Sequence, residues 1–240
     1  MPPVLDRSSV LDNPDLRGRP FVDAYTRLVD TWIVELYDEL FGERSGVALV
    51  ATGGHGRGEL APQSDLDLLL LHDGSIDLGT AQRLWYPMWD AKLKVGHSVR
   101  TVAETLALAS DDLPTATSLL SVRRLAGDAS LATDLAFDSA AQWRKQSKRV
   151  LASLMETVTS RHETTGEVAA ALEPDLKEGR GGLRDVHALS WILAAAPDLD
   201  IPRPESLAGE YDTLLNARVE LHRVTGRAGD VLQPHDQDGV

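Results

Sequence analysis

Six residues, Gly53-Gly54-His55-Gly56-Arg57-Gly58, limit what this chain can fold into more than any other feature. Four glycines in so short a run are expected to exclude any regular element there. On either side lie apolar segments, residues 47–52 (VALVAT) and residues 65–72 (DLDLLLLH), the second ended by Asp73-Gly74. Their length, β-rich content and glycine borders read as two buried strands. The chain is therefore expected to build strand, glycine turn and strand in immediate succession.

Side chains at i and i+2 of a strand share a face, so Asp65 and Asp67 project together from the mouth of the second strand. Two carboxylates that close repel each other unless a cation sits between them. Mg²⁺, with Mn²⁺ as a substitute, is the natural guest: it accepts one or two carboxylates together with substrate phosphates. The glycine run offers backbone N–H groups unobstructed by Cβ atoms, and Arg57 adds a cation for the same phosphates. Gly53, Gly54, Arg57 and Gly58 then form a triphosphate cradle, and Asp65 and Asp67 a metal clamp. That pairing suits phosphoryl or nucleotidyl transfer. Gly56-Arg57-Gly58-Glu59-Leu60-Ala61 also fits the dinucleotide fingerprint, but Pro62 interrupts the helix that fold requires, and no acidic residue ends a second strand about 20 positions on. A P-loop is excluded because no Gly-Lys-Ser/Thr follows. A solvated strand end accounts for an isolated Asp pair but leaves the glycine run unexplained.

Elsewhere, Phe21, Tyr25, Leu28, Trp32, Leu36 and Leu40 recur at helical spacing. Residues 79–93 read as helical, residues 95–102 as a third strand, and Thr101 with Glu104 as a capping box. From residue 111 onward the pattern predicts helices only. Leu119, Val122 and Leu125 mark one that ends at Gly127; a long one covers 131–162; others open at Leu183 and cover 205–225. Trp85, Trp89, Trp143 and Trp191 are expected in the core, and Arg144, Lys145, Lys148 and Arg149 on a solvated helix face. The expected class is α+β: a loose leader over 1–17, a small mixed-sheet domain over 18–110 and an all-helical domain over 111–240.

The 240 residues carry 24 Lys and Arg against 37 Asp and Glu, a formal charge of −13, which argues against binding to a nucleic-acid backbone. The absence of cysteine excludes disulfides, Cys-based zinc sites and thiol catalysis. The longest apolar run, around residues 68–71, falls far short of the roughly 20 residues of a membrane span, and the N-terminus has no signal-peptide pattern. A cytoplasmic protein with no membrane or nucleic-acid partner is expected.

The segment GGHGRGELAPQSDLDLLLL resembles the nucleotidyltransferase motif of the bacterial PII-uridylyltransferases, of the polymerase-β-like superfamily. WDAKLKVGHSVRT (89–101), DLPTATSLLSVRRLAGD (112–128) and LEPDLKEGRGGLRDVHAL (172–189) are similar to the same family, in the same order. The resemblance covers roughly residues 20–230. It implies a nucleotidyltransferase that moves UMP or AMP from UTP or ATP to a tyrosine of the PII signal protein, releasing pyrophosphate. Gly53 and Gly54 would hold the triphosphate, and Asp65 and Asp67 the catalytic Mg²⁺. The superfamily usually adds a third carboxylate from a later strand; residues 95–102 hold none, with His97, Ser98 and Arg100 there instead. Asp185 is the candidate third acid. Lys177, Arg180 and Arg184, among Gly179, Gly181 and Gly182, would form a second phosphate- or base-contacting loop. His55 stands where the family often has an aromatic and reads as a spacer or stacking residue. Family members continue into a hydrolase domain and tandem ACT domains, whereas this chain stops at HDQDGV, so transfer without removal and without glutamine control is expected. Two other readings stay open: a nucleotide-binding regulatory module without transfer, and a transferase acting on another protein such as glutamine synthetase.

Overall fold

The computed structural model describes residues 3–240. In chain order the elements are α1 (Ser8–Leu11), α2 (Gly18–Phe41), β1 (Val47–Ala51), α3 (Gly53–Gly56), β2 (Leu66–His72), α4 (Leu78–Arg83), α5 (Tyr86–Asp90), β3 (Val95–Arg100), α6 (Val102–Asp111), α7 (Leu113–Ser118), β4 (Arg123–Gly127), α8 (Ala129–Lys145), α9 (Ser147–Thr165), α10 (Leu183–Ala195) and α11 (Ala208–Thr225). The class is α+β, with a four-stranded mixed sheet in the order β3-β2-β1-β4. β1 pairs antiparallel with both β2 and β4, and β2 pairs parallel with β3.

All five residues of β1 are buried, and β2 buries Leu66 and Leu68–Leu71. Each leucine removed from water there contributes about 1.5–3 kcal/mol. Asp67 is the one interior position of β2 not taken by leucine, so the side chain that breaks the apolar pattern is the one expected to do chemistry. The stripe of α2 is broader than six positions: Val22, Val29, Ile33 and Tyr37 are fully buried as well. Tyr37 donates a hydrogen bond to the carbonyl of Val47 at 2.9 Å, and burial pushes its hydroxyl up to about 12. The capping box of Thr101 and Glu104 opens α6.

Four expectations are corrected. Gly53–Gly56 is one helical turn, not irregular chain. Residues 119–127 form no helix; a 3₁₀ turn over Leu119–Ser121 leads into β4, which completes the sheet beyond residue 110. β4 escapes notice because it is a short edge strand opened by two arginines, with Ala126 its one buried side chain. The long helix over 131–162 is two helices that meet at Gln146, and Trp89 is 44% exposed while Trp85, Trp143 and Trp191 are buried. The four basic residues at 144, 145, 148 and 149 are exposed, as their pattern implies.

The chain divides into two compact units. The first comprises residues up to Val10, Asp23–Leu60 and Ser64–Gln142, and holds the sheet. The second comprises Leu11–Val22, Ala61–Gln63 and Trp143–Val240; among its described residues, extended structure is limited to the isolated bridges Glu167–Arg180 and Asp175–Val231. The expected loose leader begins with residues 1–2, which lie outside the described residues. Beyond them, the Pro3 carbonyl accepts from Trp32 Nε1 at 2.8 Å, and Arg223 donates to the carbonyls of Leu11, Asn13 and Leu16. Among the described residues no helix is long and apolar enough to cross a membrane.

Candidate active site

The first unit brings together the glycine turn and the paired aspartates. Thr52 donates its N–H to the carbonyl of Asp67 at 2.9 Å, which sets the start of the turn beside the second aspartate. Gly53 has φ +56, and a Cβ there would stand 3.0 Å from Asp67 Oδ2. On the other side, Gly96 pairs with Asp67 in register, and a Cβ on it would stand 3.1 Å from Asp67 Oδ1. Glycine at both positions leaves room around a carboxylate that ordinary side chains would crowd.

Asp65 precedes β2, and its carboxylate accepts from Lys94 Nζ at 2.8 Å. Lys94 feels both aspartates: its ammonium is raised chiefly by the hydrogen bond and charge of Asp65, with a smaller contribution from Asp67. The pair is solvent-facing, with side-chain exposures of 74% for Lys94 and 44% for Asp65. A cation thus already answers the carboxylates, the arrangement expected where negative charge is concentrated. Among the described residues no group of three or more potential metal-ligating side chains assembles. Two carboxylates at the start of β2, without nitrogen or sulfur donors, are a donor set that fits Mg²⁺ completed by substrate phosphates.

The turn's internal hydrogen bonds run from Gly56 N–H to Thr52, Arg57 to Gly53, Gly58 to His55 and Glu59 to Gly54. The N–H groups of Gly53, Gly54 and His55 come first in the turn and have no acceptor within it. Arg57 is held by Glu59, Nε to Oε2 at 2.7 Å, and the Gly58 carbonyl accepts from Thr26 Oγ1 at 3.1 Å. His55 is wholly buried, and its Nε2 meets Asp30 Oδ1 at 2.8 Å. Arg123 completes that cluster with bonds to Asp30 and to the carbonyls of His55 and Gly56. Burial alone would raise Asp30, but the bonds from His55 and Arg123 outweigh it and hold the carboxyl below the usual range. His97 stacks in an aromatic cluster, 4.8 Å from Trp85 and 5.4 Å from Trp89, while its neighbour Gly96 faces Asp67.

Lys177, Arg180, Arg184 and Asp185 lie in the second unit, in and just after a tight loop. Asp175 Oδ1 accepts the N–H groups of Lys177 and Glu178, and a Cβ at Gly179 would meet the Asp175 carbonyl at 2.5 Å. Arg184 bonds Glu178 at 2.8 Å, and Lys177 Nζ lies 3.8 Å from Asp230, which Arg218 and His222 also hold. Burial first, then the positive charge of Arg218, lowers Lys177. Asp185 accepts from Arg161, from His162 at 2.9 Å and from the Gly181 N–H at 2.7 Å; burial opposes its ionisation, yet these donors keep it low. Arg180 is the loosest of the three cations, 63% exposed and 3.8 Å from Glu167.

Sequence reasoning missed Asp30, Lys94 and Arg123 as parts of this architecture. Arg123 lies inside the similar segment 112–128 and Lys94 inside 89–101, so both were within reach; Asp30 carries no local signal beyond a charge on a helix rich in buried residues.

Residues 148–203 match the family described as GlnD PII-uridylyltransferase. A bifunctional uridylyltransferase/uridylyl-removing enzyme of Streptomyces coelicolor is 46% identical over 226 residues, covering 93% of this chain and 27% of that protein. Over most of its length the chain is similar to the N-terminal quarter or so of uridylyltransferases. The uridylyltransferase/uridylyl-removing enzymes of Mycobacterium tuberculosis (45% over 224 residues, 89% of this chain) and Corynebacterium glutamicum (38% over 190 residues, 79% of this chain) agree. The chain spans only 27–28% of the length of these uridylyltransferases. Among solved structures, a toxin–antitoxin with AMP-PNP aligns with 54% of this chain and 98% of its own, at 15% identity and a TM-score of 0.35, a likeness that bears on neither function nor mechanism.

Proposed function

We propose that the chain carries a nucleotidyl-transfer site that moves UMP from UTP to a tyrosine of the PII protein. The observation that carries this reading is the Asp67 carboxylate set between Gly53 and Gly96, directly over a glycine turn. The names of the relatives supply the substrate class: they are uridylyltransferases, so UTP is the first choice and ATP the competitor. In the reaction, the tyrosine oxygen attacks the α-phosphorus. The new O–P bond forms as the bond to the β-phosphate oxygen breaks; pyrophosphate leaves and the hydroxyl proton passes to solvent or a base. Asp65 and Asp67 are the residues that would hold Mg²⁺, which when bound offsets charge on the phosphates. Gly53, Gly54 and Gly58 give the triphosphate a surface it can approach closely, and Arg57, restrained by Glu59, supplies positive charge beside it. We assign Lys177, Arg180 and Arg184 to a second phosphate- or base-contacting loop, with exposed Arg180 the readiest to turn toward a ligand and Asp185, bonded to Arg161, His162 and the Gly181 N–H, steadying that loop. The sheet-bearing unit would be the nucleotidyltransferase part and the helical unit its companion, both in the cytoplasm.

Incubation with PII, Mg²⁺ and labelled UTP or ATP in parallel tests the reading. Label on PII from UTP is expected; label from ATP alone would move the substrate assignment, and none from either would defeat the enzyme reading. The absence of a third metal-ligating side chain at the aspartates, among the described residues, favours one second reading, a nucleotide-binding module without transfer. Asp65→Asn and Asp67→Asn separate the two: an enzyme loses turnover, a binder only its metal-dependent affinity.

A further inference from the structure

Behind the glycine turn lies a partly buried charge cluster that the proposed chemistry does not use. Asp30 comes from α2, His55 from the turn and Arg123 from the first position of β4, so residues 93 positions apart meet in one network. Arg123 spends its guanidinium on three targets: Nε to the Gly56 carbonyl at 3.2 Å, Nη2 to the His55 carbonyl at 2.9 Å, and Nη1 to Asp30 Oδ2 at 2.7 Å. His55 Nε2 closes the cluster on Asp30 Oδ1, and its ring is wholly buried, with no hydrogen-bond partner at Nδ1 among the described residues. The turn is also pressed from the same side. A Cβ on Gly56 would lie 1.7 Å from the carbonyl of Ser121, two residues before Arg123.

A planar fork that binds two successive carbonyls and a carboxylate fixes both the height and the tilt of the segment it grips. Gly53 and Gly54 begin that segment, and Gly53 borders Asp67. We propose that Arg123, backed by Asp30 and His55, is a positioning residue that holds the glycine turn in register with Asp67 and thereby sets affinity for the nucleoside triphosphate. This rests on the proposed transfer site. Lysine would keep the charge opposite Asp30 but reach only one of the three acceptors.

The test is steady-state transfer by the full chain, with PII and Mg²⁺ present and UTP or ATP varied. In Arg123→Lys the KM for the nucleotide rises on the order of tenfold, as expected when a positioning contact is loosened. The KM for PII and the melting temperature stay close to those of the parent. Asp30→Asn shifts the nucleotide KM in the same direction, and the double variant adds less than the two singles together, because the two groups belong to one network. If Arg123→Lys does not fold, Asp30→Asn carries the test through the split between the KM for the nucleotide and the KM for PII, since loss of the Asp30 charge itself lowers the melting temperature. A nucleotide KM unchanged in a folded variant overturns the positioning role; so does a loss in which both KM values and the melting temperature move together. Failure of the parent protein to bind or transfer either nucleotide defeats the transfer site itself, and this role with it.

Discussion

At the mouth of β2, Asp65 is paired with Lys94, whose side chain is 74% exposed, and both sides of Asp67 are cleared by glycine. In the loop before α10, by contrast, charges cancel at short range: Arg184 against Glu178, Lys177, Arg218 and His222 against Asp230, Arg161 and His162 against Asp185. Glycines serve opposite ends in the two places. At Gly53 and Gly96 they keep space around a carboxylate, whereas at Gly179 and Gly182 they let backbone close on backbone. A motif rich in Gly, Arg and Asp therefore says little by itself; whether its glycines keep space around a carboxylate or draw backbone onto backbone tells the two places apart.

The comparison can be broken most forcefully at Asp67. Asp67→Asn is expected to cut transfer on the order of a thousandfold, as loss of charge-stabilising machinery does, while circular dichroism melts stay near the parent. A large fall in melting temperature would instead make Asp67 a structural residue. Next in size is Asp230→Ala, which strands Arg218, His222 and Lys177. Breaking such a buried cluster costs about 3 kcal/mol, to be read from urea unfolding; a change below about 0.5 kcal/mol, typical of exposed positions, would show that the loop's charges are not knotted.

Acid titration sharpens the same contrast. Asp30, Asp185 and Asp230 all sit below the ordinary carboxylate range because hydrogen bonds and nearby cations outweigh burial. The unfolded chain therefore takes up more protons as pH falls. The stabilisation is complete above the unfolded value near about 4 and is lost as pH falls through the folded values. Unfolding free energy should decline below about pH 4–5, and Asp230→Asn should flatten that decline. The smallest effect belongs to exposed Arg180 and half-buried Arg184. Arg184→Ala should cost about 0.2–1 kcal/mol of stability; in transfer assays, Arg180→Ala and Arg184→Ala should each raise the nucleotide KM. Unchanged nucleotide KM and turnover in both would remove the loop from the substrate site.

Much of the first site is legible in the chain because its signals are local. Glycines cluster within six positions, Asp65 and Asp67 stand two apart, and the leucine run between β2's ends can only be a buried strand. The rest depends on distance. Asp30 and Arg123 look like any charged residues on a helix and a loop until the sheet brings them to His55. β4 is short and arginine-led, and nothing in its own residues announces a strand; pairing with the fully buried β1 supplies what its sequence lacks. The break at Gln146 likewise has neither Gly nor Pro to mark it. In the loop before α10 the cations are visible, but their acidic partners come from as far away as Asp230, 53 positions beyond Lys177.

The central claim, that the glycine turn and the two aspartates form one metal-dependent nucleotide site, is tested most directly by calorimetric titration of UTP, with ATP in parallel, into the parent chain and an Asp65→Asn/Asp67→Asn variant, with and without Mg²⁺. Binding to the parent in the presence of Mg²⁺, abolished in a variant that melts at the same temperature, is the result this account predicts. Binding of equal affinity to both proteins would contradict it.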